Sequence, residues 1–416
     1  MCGGCISRPS WNRRAFLRTL SSCGAALALM GSQAPSVAAS TDDISDRGKS
    51  RSLFADGTRA TPWLNFSMPD LRRIILAGCI NGVPAQVMLD TGAGSFAISQ
   101  AFAARLKMPT SDRFQVAGLT HEAHGLHLGG VQVAFANMRL DVPIAAVFDF
   151  SDLAAATHQT VDAILGRDLF ESAVVDIDFE RTRLQIRDPQ GQTMAEHATE
   201  VPLRHGAFGL RELPISIEGH APIQALLDLG ADRPIYISPA YAKDQNLLAG
   251  RRLSTAMSTG IDGAGISQLA VVDRLKVGHA IFRELPMEVP ARWAQRVPAV
   301  VGIPIFRRFR LVLDFPHDRL GLVPSRLIAQ PFRKDRVGIG AVRVGDHLMI
   351  VHVASGSPAE AAALRVGDEI VAIDGRRLNA EFFEHYTQQG SRPAGTQVHF
   401  ELSTGAEIAI TLADYF

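Results

Sequence analysis

Val87-Met88-Leu89-Asp90-Thr91-Gly92-Ala93-Gly94-Ser95 is an apolar run that ends in a carboxylate, a hydroxyl residue and glycines. Residues 87–89 predict a buried strand, and the glycines predict the tight turn that leaves it. Asp90 then stands at the end of an apolar strand, where ionisation is costly unless hydrogen bonds hold the charge. In isolation such a stretch is also what a strand followed by an Asx turn looks like. Its weight comes from the rest of the chain, which contains the stretch twice.

Working outward, Arg73 to Ile80 is β-rich, Asn81-Gly82 is a two-residue hairpin signal, and Pro84 to Leu89 runs back into Asp90. The same order recurs further on. Leu213 to Ile217 and Ala221 to Leu227 flank Glu218-Gly219-His220 and end in Asp228-Leu229-Gly230-Ala231-Asp232. Each aspartate has the same sequel. Phe96-Ala97-Ile98-Ser99 precedes an Ala-rich helical segment to Leu106, and Ile235-Tyr236-Ile237-Ser238 precedes a segment from Pro239 to Leu247. Ser99 and Ser238 are expected helix N-caps, with Pro239 in the first helical position. Further on, Ile164-Leu165-Gly166-Arg167-Asp168 leads into Val174 to Phe179, and Val300-Val301-Gly302 leads into Leu311 to Phe315. Asp90 and Asp228 are 138 residues apart, and Gly166 and Gly302 are 136 apart. Near-equal offsets at separate landmarks point to one unit copied in tandem.

On these residues each half resembles a retropepsin-type aspartic protease unit, over roughly residues 64–325. The resemblance implies a mostly β fold, a two-lobed retropepsin-like acid protease of β-barrel type. Its two halves, residues 63–200 and 201–328, would face each other across a pseudo-two-fold axis and contribute one aspartate each. Asp90 and Asp228 are then the expected catalytic pair, supported by Thr91, Gly92 and Gly230, with no cofactor and no metal. Peptide hydrolysis by water needs a base to activate the water and an acid to protonate the carbonyl oxygen or the leaving amine. Two carboxylates about 3 Å apart cannot both ionise, so they share one proton and divide the two roles. The pair titrates as a unit. The second motif departs from the family pattern at Leu229, where a Thr or Ser would bond across the axis. The loss of one such bond costs on the order of 1 kcal/mol. The expected function is therefore an aspartic endopeptidase acting on proteins or peptides. The alternative is a catalytically degenerate peptide-binding scaffold, and a weaker one is pairing of two chains through Asp90.

Two glycine-containing stretches are candidate flaps: Val116 to Val133, with Gly118, Gly125, Gly129 and Gly130, and Thr259 to Ser267, with Gly260, Gly263 and Gly265. His121, His124 and His127 are spaced by three, which suits a metal site on a helix. In a hairpin, successive members of the trio point to opposite faces, so exposed flap histidines are the expectation.

Beyond Pro331 the pattern changes. Gly338-Ile339-Gly340, a strand over 347–353, Gly356-Ser357-Pro358-Ala359-Glu360 and Val366-Gly367-Asp368-Glu369-Ile370 are similar to a PDZ domain (α+β) over about 333–416. Ser357 caps a short helix with Pro358 at its first position. The resemblance implies capture of peptide C-termini by strand addition, with the carboxylate at the loop Gly338-Ile339-Gly340-Ala341 and a helix from Glu381 to Gln388 walling the groove.

At 416 residues with formal charge +0, the chain is multidomain and carries no Lys/Arg-rich block that would suit nucleic acid. Asn12-Arg13-Arg14-Ala15-Phe16-Leu17-Arg18 is similar to a twin-arginine export signal, and Val37-Ala38-Ala39 fits signal-peptidase cleavage, giving a signal peptide over 1–39 and a periplasmic or secreted product. The intervening apolar segment is too short and polar for a membrane span. Removal of residues 1–39 leaves 38 basic and 42 acidic residues, and Cys79 as the sole cysteine, so no intramolecular disulfide forms. Residues 40–62, rich in Ser, Thr, Asp and Arg, read as a flexible leader.

Overall fold

The computed structural model describes residues 48–416 apart from residues 56, 118–121, 152, 155–159, 192, 261–262 and 386–388. The expected export signal, Gly118 and His121 therefore lie outside the described residues. No helix among the described residues is long and apolar enough to cross a membrane.

Strand Val83–Leu89 pairs antiparallel with Ile74–Ile80 through a tight turn at Asn81 and Gly82, whose φ angles of 49° and 79° give the left-handed pair that an Asn-Gly hairpin supplies. On its other side it runs parallel to Ala163–Leu165, with Leu89 opposite Leu165. That short strand is flanked in turn by Ala97–Ser99, antiparallel. The chain leaving Asp90 thus loops out and returns one strand further on, with residues 163–165 inserted between. The same arrangement recurs. Ile223–Asp228 runs parallel to Ala299–Gly302, with Leu227 opposite Val301, and Ile235–Ile237 flanks that strand antiparallel. These strands are buried on both faces, which is why they read as continuous apolar runs. Both expected helix caps form: Phe102 N–H donates to Ser99 Oγ at 3.1 Å and Tyr241 N–H to Ser238 Oγ at 3.2 Å.

The two arrangements lie in separate sheets of ten and eight strands. A third, six-stranded sheet draws on both. Val174–Asp178 pairs antiparallel with Phe309–Asp314, placing Ile177 opposite Leu311. Arg310 closes this seam with a bidentate grip on Asp176, at 2.9 and 2.8 Å. One apolar core runs through all of it, and Leu89, Leu165, Leu227 and Val301 in it expose nothing to solvent.

Two stretches differ from the sequence expectation. Residues 40–62 read as a flexible leader, yet Arg51–Phe54 is a strand paired with Met138–Val142 and Thr61 Oγ1 accepts a bond from Ile186 N–H. Leu53 and Phe54 supply apolar contact that the surrounding polar composition hides; Phe54 packs on the main core. Of the glycine-rich candidate flaps, the first crosses from one hairpin into a further strand, Val131–Phe135, and the second is the end of a longer hairpin. The first pairs Thr110–Ala117 with Glu122–Leu128, and the second pairs Ser254–Gly260 with Gly263–Val277.

The C-terminal region has its own core, built on Ile350, Ala359, Ile370 and Phe400. Its strands Ile339–Val344, His347–Val353, Glu369–Ile373, Gln397–Leu402 and Glu407–Thr411 follow in that spatial order. Ile339–Val344 is therefore an edge strand. Helix Pro358–Ala361 is capped by Ser357, which accepts from Glu360 N–H at 3.2 Å. A second helix spans Ala380–His385; the end of the predicted 381–388 helix lies outside the described residues.

Candidate active site

The two aspartates end equivalent strands, and the fold brings their carboxyl groups into a shared hydrogen bond. Each is oriented by the loop that follows it. Gly92 N–H donates to Asp90 Oδ1 at 2.8 Å; Gly230 N–H and Ala231 N–H donate to Asp228 Oδ1 at 2.8 and 3.0 Å. The glycines have a second role that crosses between the halves. A Cβ on Gly92 would lie 2.6 Å from Asp228 Oδ2, and one on Gly230 would lie 2.4 Å from Asp90 Oδ2. Each carboxyl group therefore rests on the glycine of the opposite loop, at a separation no side chain permits.

Gly166 and Gly302 are equally constrained. A Cβ on Gly166 would meet Ala93 O at 2.1 Å, and one on Gly302 would meet Arg233 O at 2.0 Å. These glycines let each aspartate loop lie directly against the strand inserted behind it. Arg167 N–H then donates to Ala93 O at 2.9 Å, and Ile303 N–H to Ala231 O at 3.0 Å.

Thr91 is buried and spans the interface. Its hydroxyl donates to Leu227 O and accepts from Leu229 N–H, both at 2.9 Å. Leu229, its counterpart, is fully buried in the shared apolar core. The side-chain lock between the loops is thus one-sided: a hydroxyl bridge from the first loop, an apolar plug from the second.

Burial dominates the electrostatics of the pair. It pushes the Asp90 carboxyl up, against opposing hydrogen bonds from Asp228 and Gly92 and the nearby positive charge of Arg73. It pushes Asp228 up further, because the Asp90 charge and the hydrogen bond to Asp90 act in the same direction. One proton is thus held between them at pH values where isolated carboxyls are ionised, and the pair titrates as a unit.

Around the pair lies a charge cluster that the sequence reading did not pick out beyond Asp232. Arg72, in the first half, meets Asp232 at 3.3 Å, and Tyr236 Oη donates to the same carboxylate at 2.9 Å. Arg233 pairs with the fully buried Glu288 at 2.5 Å. Although burial opposes it, Asp232 is held well below the usual carboxylate range by Arg233, Arg72 and Arg73. The sequence signal was only Arg72-Arg73 before the first strand and an acid four residues past Asp228, with no period to link them.

Among the described residues no cluster of His, Cys, Asp or Glu has metal-binding geometry. His121 lies outside the described residues.

In the C-terminal region Gly338 adopts a φ of +85°, and a Cβ there would lie 2.1 Å from that of Ser357. Its N–H already donates to Asp335 Oδ2 at 2.9 Å, and Tyr415 Oη donates to the same oxygen at 2.7 Å. Gly338 is therefore committed to shaping the loop, and Ile339, Gly340 and Ala341 follow it along the edge strand. A 370 Å³ cavity adjoins this loop, with Ile373, Phe382 and Phe400 among its apolar lining.

Residues 76–169 match the family model described as aspartyl protease, and residues 325–402 match that of the PDZ domain. The first match stops short of the second half, which carries Asp228 and Leu229. No curated protein matches the chain significantly. The chain carries a retropepsin-like aspartyl protease domain and a C-terminal PDZ domain.

Proposed function

We propose that this protein is an exported aspartic endopeptidase that hydrolyses peptide bonds with a water activated by Asp90 and Asp228, and that its PDZ module binds peptide or protein C-termini. In this reading residues 1–39 are a twin-arginine signal removed on export. Residues 63–200 and 201–328 are duplicated halves that pair within one chain, and residues 333–416 are the recruiting module. The observation that carries it is the shared hydrogen bond of two desolvated carboxyls, each seated on the other half's glycine.

The chemistry follows from one proton on the pair. The ionised carboxylate accepts a proton from a water whose oxygen attacks the peptide carbonyl carbon. The protonated carboxyl gives its proton to the carbonyl oxygen, so the adduct is a neutral gem-diol. On collapse the ionised carboxylate takes back one gem-diol hydroxyl proton, and the other carboxyl passes the proton it took from the water to the nitrogen as the C–N bond breaks, so the pair again holds one proton. Gly92, Gly230 and Ala231 fix both carboxyls before substrate arrives, so little reorganisation is needed.

Leu229 favours the degenerate reading by its side chain alone. The Leu229 backbone N–H keeps its bond to Thr91, so the loops remain joined across the interface. Digestion of an unfolded protein across pH 3–8, with a statine-type inhibitor as control, tests the proposal. Turnover abolished separately by Asp90→Asn and by Asp228→Asn is the expected result. Full activity in either variant overturns the intramolecular pair, and peptide affinity without turnover at any pH selects the scaffold reading.

A further inference from the structure

The PDZ edge strand does not stand clear of the protease. The outer strand of the second candidate flap hairpin, Ser254–Gly260, packs against it. A Cβ on Gly340 would lie 3.4 Å from Met257 Cβ and 3.6 Å from Met257 Cε. Thr255 Oγ1 meets His352 Nε2 at 3.1 Å, on the PDZ strand paired with the edge strand. Ser254 Oγ donates to Ser355 O at 2.6 Å. The chain's last two residues, Tyr415 and Phe416, are buried against Ala256 and Leu269 of the same hairpin.

The cavity beside the PDZ loop reflects this packing. Its wall combines PDZ residues Ile339, Ala341 and Phe382 with Thr255, Ala256 and Met257 of the hairpin. Arg333 and Lys334 also line it beside Asp335, so the loop end carries a net positive charge although Asp335 holds Gly338 N–H. An extended peptide that adds to Ile339–Val344 places alternate side chains on opposite sides of the strand. One set enters the apolar pocket. The other set faces the side on which Gly340 and His352 meet Met257 and Thr255.

We infer that the PDZ groove and the second hairpin form one composite binding site. It takes a polypeptide with a free C-terminal carboxylate and an apolar last side chain, and its occupancy is coupled to the position of the hairpin. This rests on the reading of the C-terminal loop as a carboxylate site given above. The coupling follows from the shared wall. Side chains seated against Met257 and Thr255 must share or displace contacts that now hold the hairpin, and the effect is reciprocal. Through the hairpin the signal reaches the protease half that carries Asp228.

The test uses the full chain carrying Asp228→Asn, so that no probe is cut and binding is read independently of turnover. The probes are fluorescein-labelled decapeptides ending in free valine, leucine or phenylalanine, with each amidated counterpart as control. Anisotropy is expected to show at least tenfold weaker binding of the amides, and at least a fivefold change in affinity on Met257→Ala. Hydrogen exchange followed by mass spectrometry is expected to change together over residues 254–257 and 339–344 when the free acid binds. The proposal is overturned if none of the three acids binds, if Met257→Ala leaves affinity unchanged, or if residues 339–344 become protected while 254–257 do not respond. Failure of the protease reading shows separately, as no turnover by the wild-type chain while the coupling is still measured.

Discussion

Replacing Thr91 by valine removes one oxygen and keeps the side-chain shape, so it isolates the bridge between the two loops. The hydroxyl is buried, donating to Leu227 O and accepting from Leu229 N–H at 2.9 Å each. Valine supplies neither function and leaves a buried carbonyl and a buried amide without that partner. Each such orphan costs about 1–3 kcal/mol, so the pair amounts to about 2–6 kcal/mol. Thr91→Ser is the control: it keeps the oxygen and loses one methyl, which costs about 1 kcal/mol. Thermal and denaturant unfolding of the two variants should rank them clearly, valine well below serine. Because the bonds run between halves, Thr91→Val should also lower turnover by loosening the separation of Asp90 and Asp228. If valine proves as stable as wild type, or more stable than serine, the bridge does not hold the halves together and the one-sided lock is wrong.

Three further outcomes follow. Both carboxyls are pushed up by burial, so their native state binds protons more tightly than the unfolded chain, and the stability this gives at low pH is lost as pH rises through the native titration. Asp228→Asn should therefore melt higher than wild type at pH 7, by about 1–2 kcal/mol, and match it near pH 3; equal melting differences at both pH values refute the shared proton. Gly230→Ala puts a methyl 2.4 Å from Asp90 Oδ2, and a displacement of that size should cost roughly 10²-fold in kcat with the fold retained; unchanged kcat would show that the carboxyl moves freely. Arg233→Met strands the fully buried Glu288, costing about 3–5 kcal/mol at pH 7 and less in acid, where Glu288 takes a proton; a pH-independent loss counts against the ion pair.

Much of the aspartate region is legible because local rules and global fold agree there. The apolar run 87–89 must be buried on both faces, which a strand inserted between two others provides. The glycines are legible as turn residues but not as what they are in space. Gly92 and Gly230 read as freedom for a backbone N–H, and that bond forms. Their closer constraint is the opposite carboxyl, 136 residues from Gly92 and 140 from Gly230, and no local pattern encodes it. The same holds for Arg72 and Asp232, 160 residues apart, and for Arg310 and Asp176, whose ion pair closes the seam.

The hairpin at 254–277 shows the limit from the other side. Gly260, Gly263 and Gly265 mark it in the sequence as a candidate flap, while the strand before them reads as unremarkable Ser-Thr-Ala-Met. Yet Ser254, Thr255 and Met257 are among the residues that touch the PDZ domain. Small polar and thioether side chains carry no periodic signature, so a surface that joins two domains through them is invisible until both are placed. A hairpin strand fastened to the PDZ domain at Ser254, Thr255 and Met257 is a lever in the proposed coupling. In that coupling, a ligand on the PDZ side that changes the fastening by only 1–3 kcal/mol shifts the hairpin's population by 5–150-fold.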